Sequence, residues 1–242
     1  KINDTNTEIM NTKLIIDFLS DIKENNNREW FQANKSRYLE VKSVFETFVK
    51  DAIECILKFD NTISHITIKD ATYRFYRDTR FSLDKSPYKR HLGAYIAAHG
   101  KKALHGGYYI HLEPGNCLLA CGNNYLPTNI LTSCRNEIMG NIDRWLEIVE
   151  DKKFVNTFGK ACSAEWGDEK GFGLEALKTA PSGFPRNYEH IEYLRLKDYC
   201  CWRRISDDFF SKDTWREDMT EIFLIGKPMM DFINDVVDDY ED

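Results

Sequence analysis

The chain contains no long apolar run. Uninterrupted stretches such as Cys117–Cys121 and Ile222–Ile225 fall far short of the roughly 20 residues that a membrane-crossing helix requires. Proline (6) and glycine (13) are scarce among the 242 residues, which excludes collagen-like and low-complexity chains. The seven cysteines are odd in number and lack framework spacing. The opening residues Lys1-Ile2-Asn3-Asp4-Thr5-Asn6 lack the apolar core of a secretion signal. The expectation is a cytoplasmic protein with reduced thiols and no membrane association. HExxH, EF-hand, phosphate-loop and GxSxG patterns are missing. Cys117 and Cys121, read as strand residues, would stand ~13 Å apart, too far for one zinc with Zn–S bonds of ~2.3 Å. No metal is therefore expected, and the cofactor is left open. Basic residues are also in deficit, 33 against 39 acidic, for a net charge of −6. That disfavours a protein whose whole surface binds nucleic acid.

What is present is an ordinary globular balance, 42% hydrophobic and 30% charged. A chain of this length buries about 70–75% of its unfolded surface and needs no staples. Ile15, Phe18, Leu19 and Ile22 lie on one helical face. A second helix is expected from Arg28 to about Leu57, with Val41, Phe45, Phe48, Ala52 and Ile56 as its stripe. Tyr73–Tyr76 reads as a strand, followed by strand-like runs over about 91–98, 107–113 and 117–122 with short turns between them. Short connections imply an antiparallel meander. Helices are expected again after Pro127, at 142–149, near Tyr188 and near Thr214, with Gly226-Lys227-Pro228 splitting the last stretch. Gly171-Phe172-Gly173 reads as a turn. The acidic tail from Asp231 reads as a solvated, frayed end. The fold expected is a single α+β domain over about 8–240, an antiparallel meander packed with N- and C-terminal helices.

Charge is concentrated in one place. Residues 69–90, KDATYRFYRDTRFSLDKSPYKR, carry +4, so the rest of the chain carries −10. A cationic island on an acidic protein draws small anions, and arginine suits bidentate capture of carboxylate or phosphate. The expected ligand-binding residues are Arg74, Tyr76, Arg77, Arg80, Lys85 and Lys89. The interleaved acids Asp78 and Asp84 also allow a network of ion pairs that fixes a loop. In the strand at 107–113, Tyr109, His111 and Glu113 share the face opposite Ile110 and Leu112. Tyr109 joins the ligand-binding set, and Asp78, His111 and Glu113 are the candidate proton-handling groups. His91 and Tyr95 are expected on the polar face of the neighbouring strand.

Three blocks carry a resemblance. They are Asn25-Asn26-Asn27-Arg28-Glu29-Trp30-Phe31, then Arg74-Phe75-Tyr76-Arg77-Asp78-Thr79-Arg80-Phe81-Ser82-Leu83-Asp84-Lys85-Ser86-Pro87-Tyr88-Lys89, then Tyr108-Tyr109-Ile110-His111-Leu112-Glu113-Pro114-Gly115. In order and spacing they resemble the signature of a widespread uncharacterised family of bacterial and fungal proteins, a domain of unknown function. The resemblance runs from about residue 14 to about 225. Cys121 stands where that family tends to have a small residue, and Ser182 where a lysine is common. The resemblance implies a shared fold and site and no established activity.

The function expected is a pocket for a small anionic ligand, phosphate or carboxylate, with catalysis left open. The alternatives are a protein-interaction module that docks through the basic 69–90 segment, and single-stranded nucleic-acid binding through its interleaved aromatics.

Overall fold

The computed structural model describes residues 12–165 and 167–241; residues 8–11 and Asp242 lie outside the described residues. The first helix, α1 (Thr12–Glu24), buries Ile15, Phe18, Leu19 and Ile22, as the spacing predicts. The single helix expected over 28–57 is two, α2 (Arg28–Ala33) and α3 (Lys35–Leu57). The Asn27 side chain caps α2 by accepting from the Trp30 N–H. The chain turns at Asn34, whose N–H donates to the carbonyls of Trp30 and Phe31. The turn sets Phe31 against Tyr88, with stacked rings 4.1 Å apart. The five residues named for the stripe of α3 are all buried.

After the one-turn α4 (Ile68–Ala71), the expected strand at Tyr73–Tyr76 is instead an extended ribbon. The N–H of Lys89 donates to the Phe75 carbonyl and that of Arg77 to the Pro87 carbonyl, each at 2.9 Å. Thr72 alone bridges to the sheet, opposite Ala94. Packing replaces the ladder here, because Phe75 is enclosed by the rings of Phe18, Phe31, Tyr38 and Tyr88. Asn26 closes this corner. Its amide donates to the Tyr88 carbonyl at 3.0 Å and accepts from the Tyr88 N–H at 3.1 Å, as a neighbouring strand would. The first family-like block thus fastens the end of the second. With each hydrogen bond contributing ~0.5–1.5 kcal/mol, Asn26→Ala should cost about 2 kcal/mol in urea unfolding. An unchanged midpoint would show that this pairing holds nothing.

The meander follows as β1 (Leu92–Ile96), β2 (Gly107–Leu112) and β3 (Leu118–Asn123). Then come α5 (Thr128–Gly140), α6 (Ile142–Val149), α7 (Lys152–Phe158), β4 (Lys170–Phe172), α8 (Ile191–Arg195), β5 (Tyr199–Arg204) and α9 (Trp215–Glu241). The strand order is β1-β2-β3-β5-β4, antiparallel throughout. The meander is therefore three-fifths of a larger sheet. Gly171-Phe172, expected in a turn, lies on its edge strand. The segment Tyr199-Cys200-Cys201-Trp202 is buried on both faces and shows no alternation of polar and apolar residues, so its strand character was hidden.

Tyr108, Ile110, Leu112, Leu119, Cys121, Tyr199 and Cys201 belong to one continuous core with the helices. Among the described residues α9 is one unbroken helix, not two, with Pro228 inside it. Its last turns are packed rather than frayed, because Phe232, Ile233, Val236 and Val237 are buried while the acidic residues sit between them. Gly226 is there for contact. A Cβ at that position would lie 2.1 Å from the Cys121 sulfur. The glycine lets α9 press directly onto β3.

Candidate functional site

The face of the sheet turned away from that core carries a second, smaller apolar patch of Leu118, Ala120, Cys200 and Trp202. Beside it opens a cavity of about 690 Å³ lined by Tyr73, Lys89, His91, Tyr95, Lys101, His105, Tyr109 and His111, among others. The period of two in β2 delivers Tyr109 and His111 to this face. The pairing of Gly93 with His111, and of Tyr95 with Tyr109, sets β1 alongside in register. His91 then stacks on His111, with ring centroids 4.5 Å apart.

The polar residues of β2 form a hydrogen-bonded row. The Tyr109 hydroxyl lies 2.8 Å from Nδ1 of His111, and Nε2 of His111 lies 3.1 Å from Oε2 of Glu113. Glu113 is held in turn by the Asn116 amide at 2.5 Å. Strand geometry alone leaves neighbours on one face ~7 Å apart. The leaning side chains close that gap. Gly93 makes room for it, since a Cβ there would lie 2.9 Å from the Tyr109 hydroxyl.

Electrostatics assign the protons. Burial pushes the Glu113 carboxyl up, but hydrogen bonds from Asn116 and His111 outweigh it and hold the group below its ordinary value. With Glu113 ionised, Nε2 of His111 carries the proton and donates it, and Nδ1 accepts from the tyrosine. Burial lowers the His111 pKa, partly offset by Glu113. Burial, reinforced by the neighbouring His111 and Lys89, lowers His91 to about 4. Both rings are neutral near pH 7. Burial also keeps the Tyr109 and Tyr95 hydroxyls protonated.

Two cations border the cavity. The Lys89 and Lys101 ammonium groups lie 5.1 and 5.5 Å from the centre of the Tyr73 ring. Lys101 is anchored by the carbonyls of Lys69 and Thr72. Lys89 has no carboxylate partner among the described residues, and burial lowers its pKa. Lys101, Tyr73 and His105 carry no signal in the sequence that would single them out. They reach the cavity only through the ribbon and the β1–β2 turn.

The other cations of the charged segment lie elsewhere. Arg77 pairs with Asp84 at 2.6 Å and Arg80 with Asp78 at 2.7 Å, while Lys85 donates to the Thr79 carbonyl. Asp84 sits far below the usual carboxylate range, chiefly because Ser86 and then Arg77 hydrogen-bond to it. Asp78, Arg77, Arg80 and Lys85 therefore tie the loop at 77–86 together, and none of them lines the cavity. Arg74 lines a separate groove with Tyr38 and Phe75. Tyr76 lies half-exposed against Phe31 and Tyr88. Of the ten residues singled out from the sequence, the structure brings Lys89, Tyr109 and His111 together at the cavity, with Glu113 directly behind His111.

Among the described residues, His99, His105 and Asp238 could each offer a metal-ligand atom within 4.8 Å of one another. The two rings, however, stack in parallel at 3.7 Å with planes 7° apart. A metal in the plane of one would lie outside the plane of the other. The hydrogen bond of 2.7 Å between His105 Nε2 and Asp238 accounts for this placement without an ion. Cys121 and Cys201 bring their sulfurs to 3.4 Å across neighbouring strands, deep in the core, where burial raises the Cys201 thiol well above its usual value.

The fold and the site define a class: an α+β protein with an open antiparallel sheet, one face packed by helices and the other carrying a cavity bordered by tyrosine, histidine and lysine side chains. Residues 14–232 match the family described as conserved hypothetical protein (DUF2461), and the chain belongs to that family. No match to the chain was found among curated proteins or among solved structures.

Proposed function

We propose that the protein binds a small organic anion, a carboxylate or a phosphate, in the cavity on the open sheet face and moves a proton on it. The observation that carries this reading is the pair Tyr109 and His111 lining the cavity, backed by Glu113, with Lys89, which has no carboxylate partner among the described residues, at the border. The anionic end of the ligand is drawn by Lys89 and Lys101. A ligand proton passes to the Tyr109 oxygen as the tyrosine's own proton passes to Nδ1 of His111. The imidazolium so formed is held by Glu113, and the reverse sequence returns the proton. His91, neutral and stacked on His111, lines the cavity without adding a charge that would oppose this imidazolium.

The test is thermal melting and calorimetry against a panel of small carboxylates and phosphates. A ligand at 100 times its Kd should stabilise the protein by about 2.7 kcal/mol. Lys89→Met should weaken binding about tenfold, and His111→Gln should abolish proton exchange on the bound ligand while retaining most of the affinity. A panel that shifts nothing, or binding unaffected in both variants, would overturn the proposal.

One observation favours a second reading, an interaction module. Phe81 and Leu83, at the tip of the basic loop, are 95% and 102% exposed. Apolar side chains held out on a loop tied by its own ion pairs suit insertion into a partner's surface. Phe81→Ser/Leu83→Ser should then abolish partner capture and leave anion binding unchanged. Oligonucleotide binding that falls steeply with salt would instead support the nucleic-acid alternative.

A further inference from the structure

A second cavity, of about 620 Å³, adjoins the first and shares Asn124, Tyr125, Leu174 and Glu175 with it. Arg135, from α5, lines this second cavity. Its side chain is buried, with 4% of the residue exposed, yet it has no carboxylate partner among the described residues. One guanidinium nitrogen, Nη2, donates to the Leu196 carbonyl at 2.9 Å. The Nε–H is fully enclosed and has no partner. Guanidinium presents five N–H donors in a fixed fork, so most of the donating capacity of Arg135 is uncommitted.

A buried charge without a counter-charge is costly, and folded proteins answer such charges with an anion or a hydrogen-bond network. The acids on this wall are already answered elsewhere. Asp198 accepts from the backbone N–H groups of Leu174, Glu175 and Cys200. Glu175 pairs with Lys197 at 2.8 Å. The cavity also receives the first turn of α5 at Thr128, where the N-cap is Pro127 and no side chain caps the free N–H groups. The positive end of the helix adds to the field of Arg135.

We infer that this second cavity is an oxyanion site, with the Arg135 fork as its principal ligand for a carboxylate or phosphate group. Paired N–H donors on one edge of guanidinium match two oxygens of either group. The site is separate from the row at Tyr109 and His111. It stands or falls without the proton-transfer reading.

The experiment uses the full chain, with inorganic phosphate in one arm and acetate in the other, titrated by calorimetry at constant ionic strength. Wild-type protein should bind at least one of the two, and the arm that binds identifies the oxyanion. Arg135→Met should lose that binding by tenfold or more, and the same loss should appear when Lys89→Met is already present in both chains compared, so that the first cavity contributes little to either titration. Arg135→Lys keeps the charge but loses the fork and should bind several-fold more weakly than wild type. Melting of the unliganded variants supplies an independent readout. If Arg135 is kept for an anion, Arg135→Met should melt no lower than wild type, because it removes an uncompensated buried charge. Lower melting of Arg135→Met, no binding of either anion to wild type, or equal binding by wild type and Arg135→Lys would each overturn the inference. Binding that Lys89→Met alone removes, so that adding Arg135→Met changes nothing further, would move the site to the first cavity and overturn it as well.

Discussion

Replacing Gly226 with valine should lower the stability of the fold by about 3 kcal/mol, the upper part of the range for overpacking a close-packed contact. In an exposed helix the change from glycine to a residue with a side chain would favour the helix by a few tenths of a kcal/mol or more, so the sign is decided by what the side chain meets. Here it meets the Cys121 sulfur at 2.1 Å, Cys201 at 3.3 Å and Phe158 at 3.4 Å. Two of these neighbours stand on paired strands and cannot retreat without parting β3 from β5. For a chain of this size ~3 kcal/mol corresponds to a melting temperature lower by about 6–12 °C. Cys121→Ala in the same background should recover part of the loss, because the two changes touch the same space. A full-height melting temperature in Gly226→Val would show that α9 does not press on the sheet as described.

The second large effect is a loss of stability in acid that belongs to His91. Burial holds its folded pKa at about 4, against about 6.5 for an unfolded imidazole. Between those values the unfolded chain binds the proton more readily. The stabilisation is complete above pH 6.5 and is lost as pH falls toward 4, a change of about 3 kcal/mol. Asp198 works in the opposite sense over much of the same window. Burial raises it to about 6 against the pull of three backbone N–H groups, so the folded state gains from its protonation as pH falls from 6 to 4. The effect of His91 is therefore read by difference. Urea unfolding of wild type and His91→Gln from pH 4 to 7.5 should show the stability gap between them changing by about 3 kcal/mol in favour of the variant at low pH. A gap that stays constant with pH would contradict a half-buried His91 that the fold keeps neutral.

Periodicity made the helical parts of the fold and the central meander legible. The stripes of α1 and α3 and the faces of β1 and β2 are local repeats in which every position on one side is apolar. Glu113 and His111 could be placed on one face for the same reason. Other features were hidden because the deciding contacts are remote. The break at Asn34 answers the need of Phe31 to reach Tyr88, 57 positions along the chain. β5 looked featureless because both of its faces are covered. Gly226 and Pro228 carry the local marks of a helix end, yet contact with Cys121 and the burial of Phe232, Ile233 and Val236 keep the helix running. Arg135 gave no signal at all, since its lack of a carboxylate partner among the described residues exists only after α5 has packed over Leu196.

The clearest division lies in the charged segment. By itself the sequence determined that 22 residues carry +4 on an otherwise acidic chain and that the polar residues of β2 share one face. Only the tertiary structure decided what those charges do. Arg77 and Arg80 find carboxylates within their own loop, because oppositely charged neighbours at short range pair before any distant partner can. Lys89, fixed by the Asn26–Tyr88 pairing beside a sheet edge and without a carboxylate partner among the described residues, is left as the one basic residue of the segment that borders the first cavity.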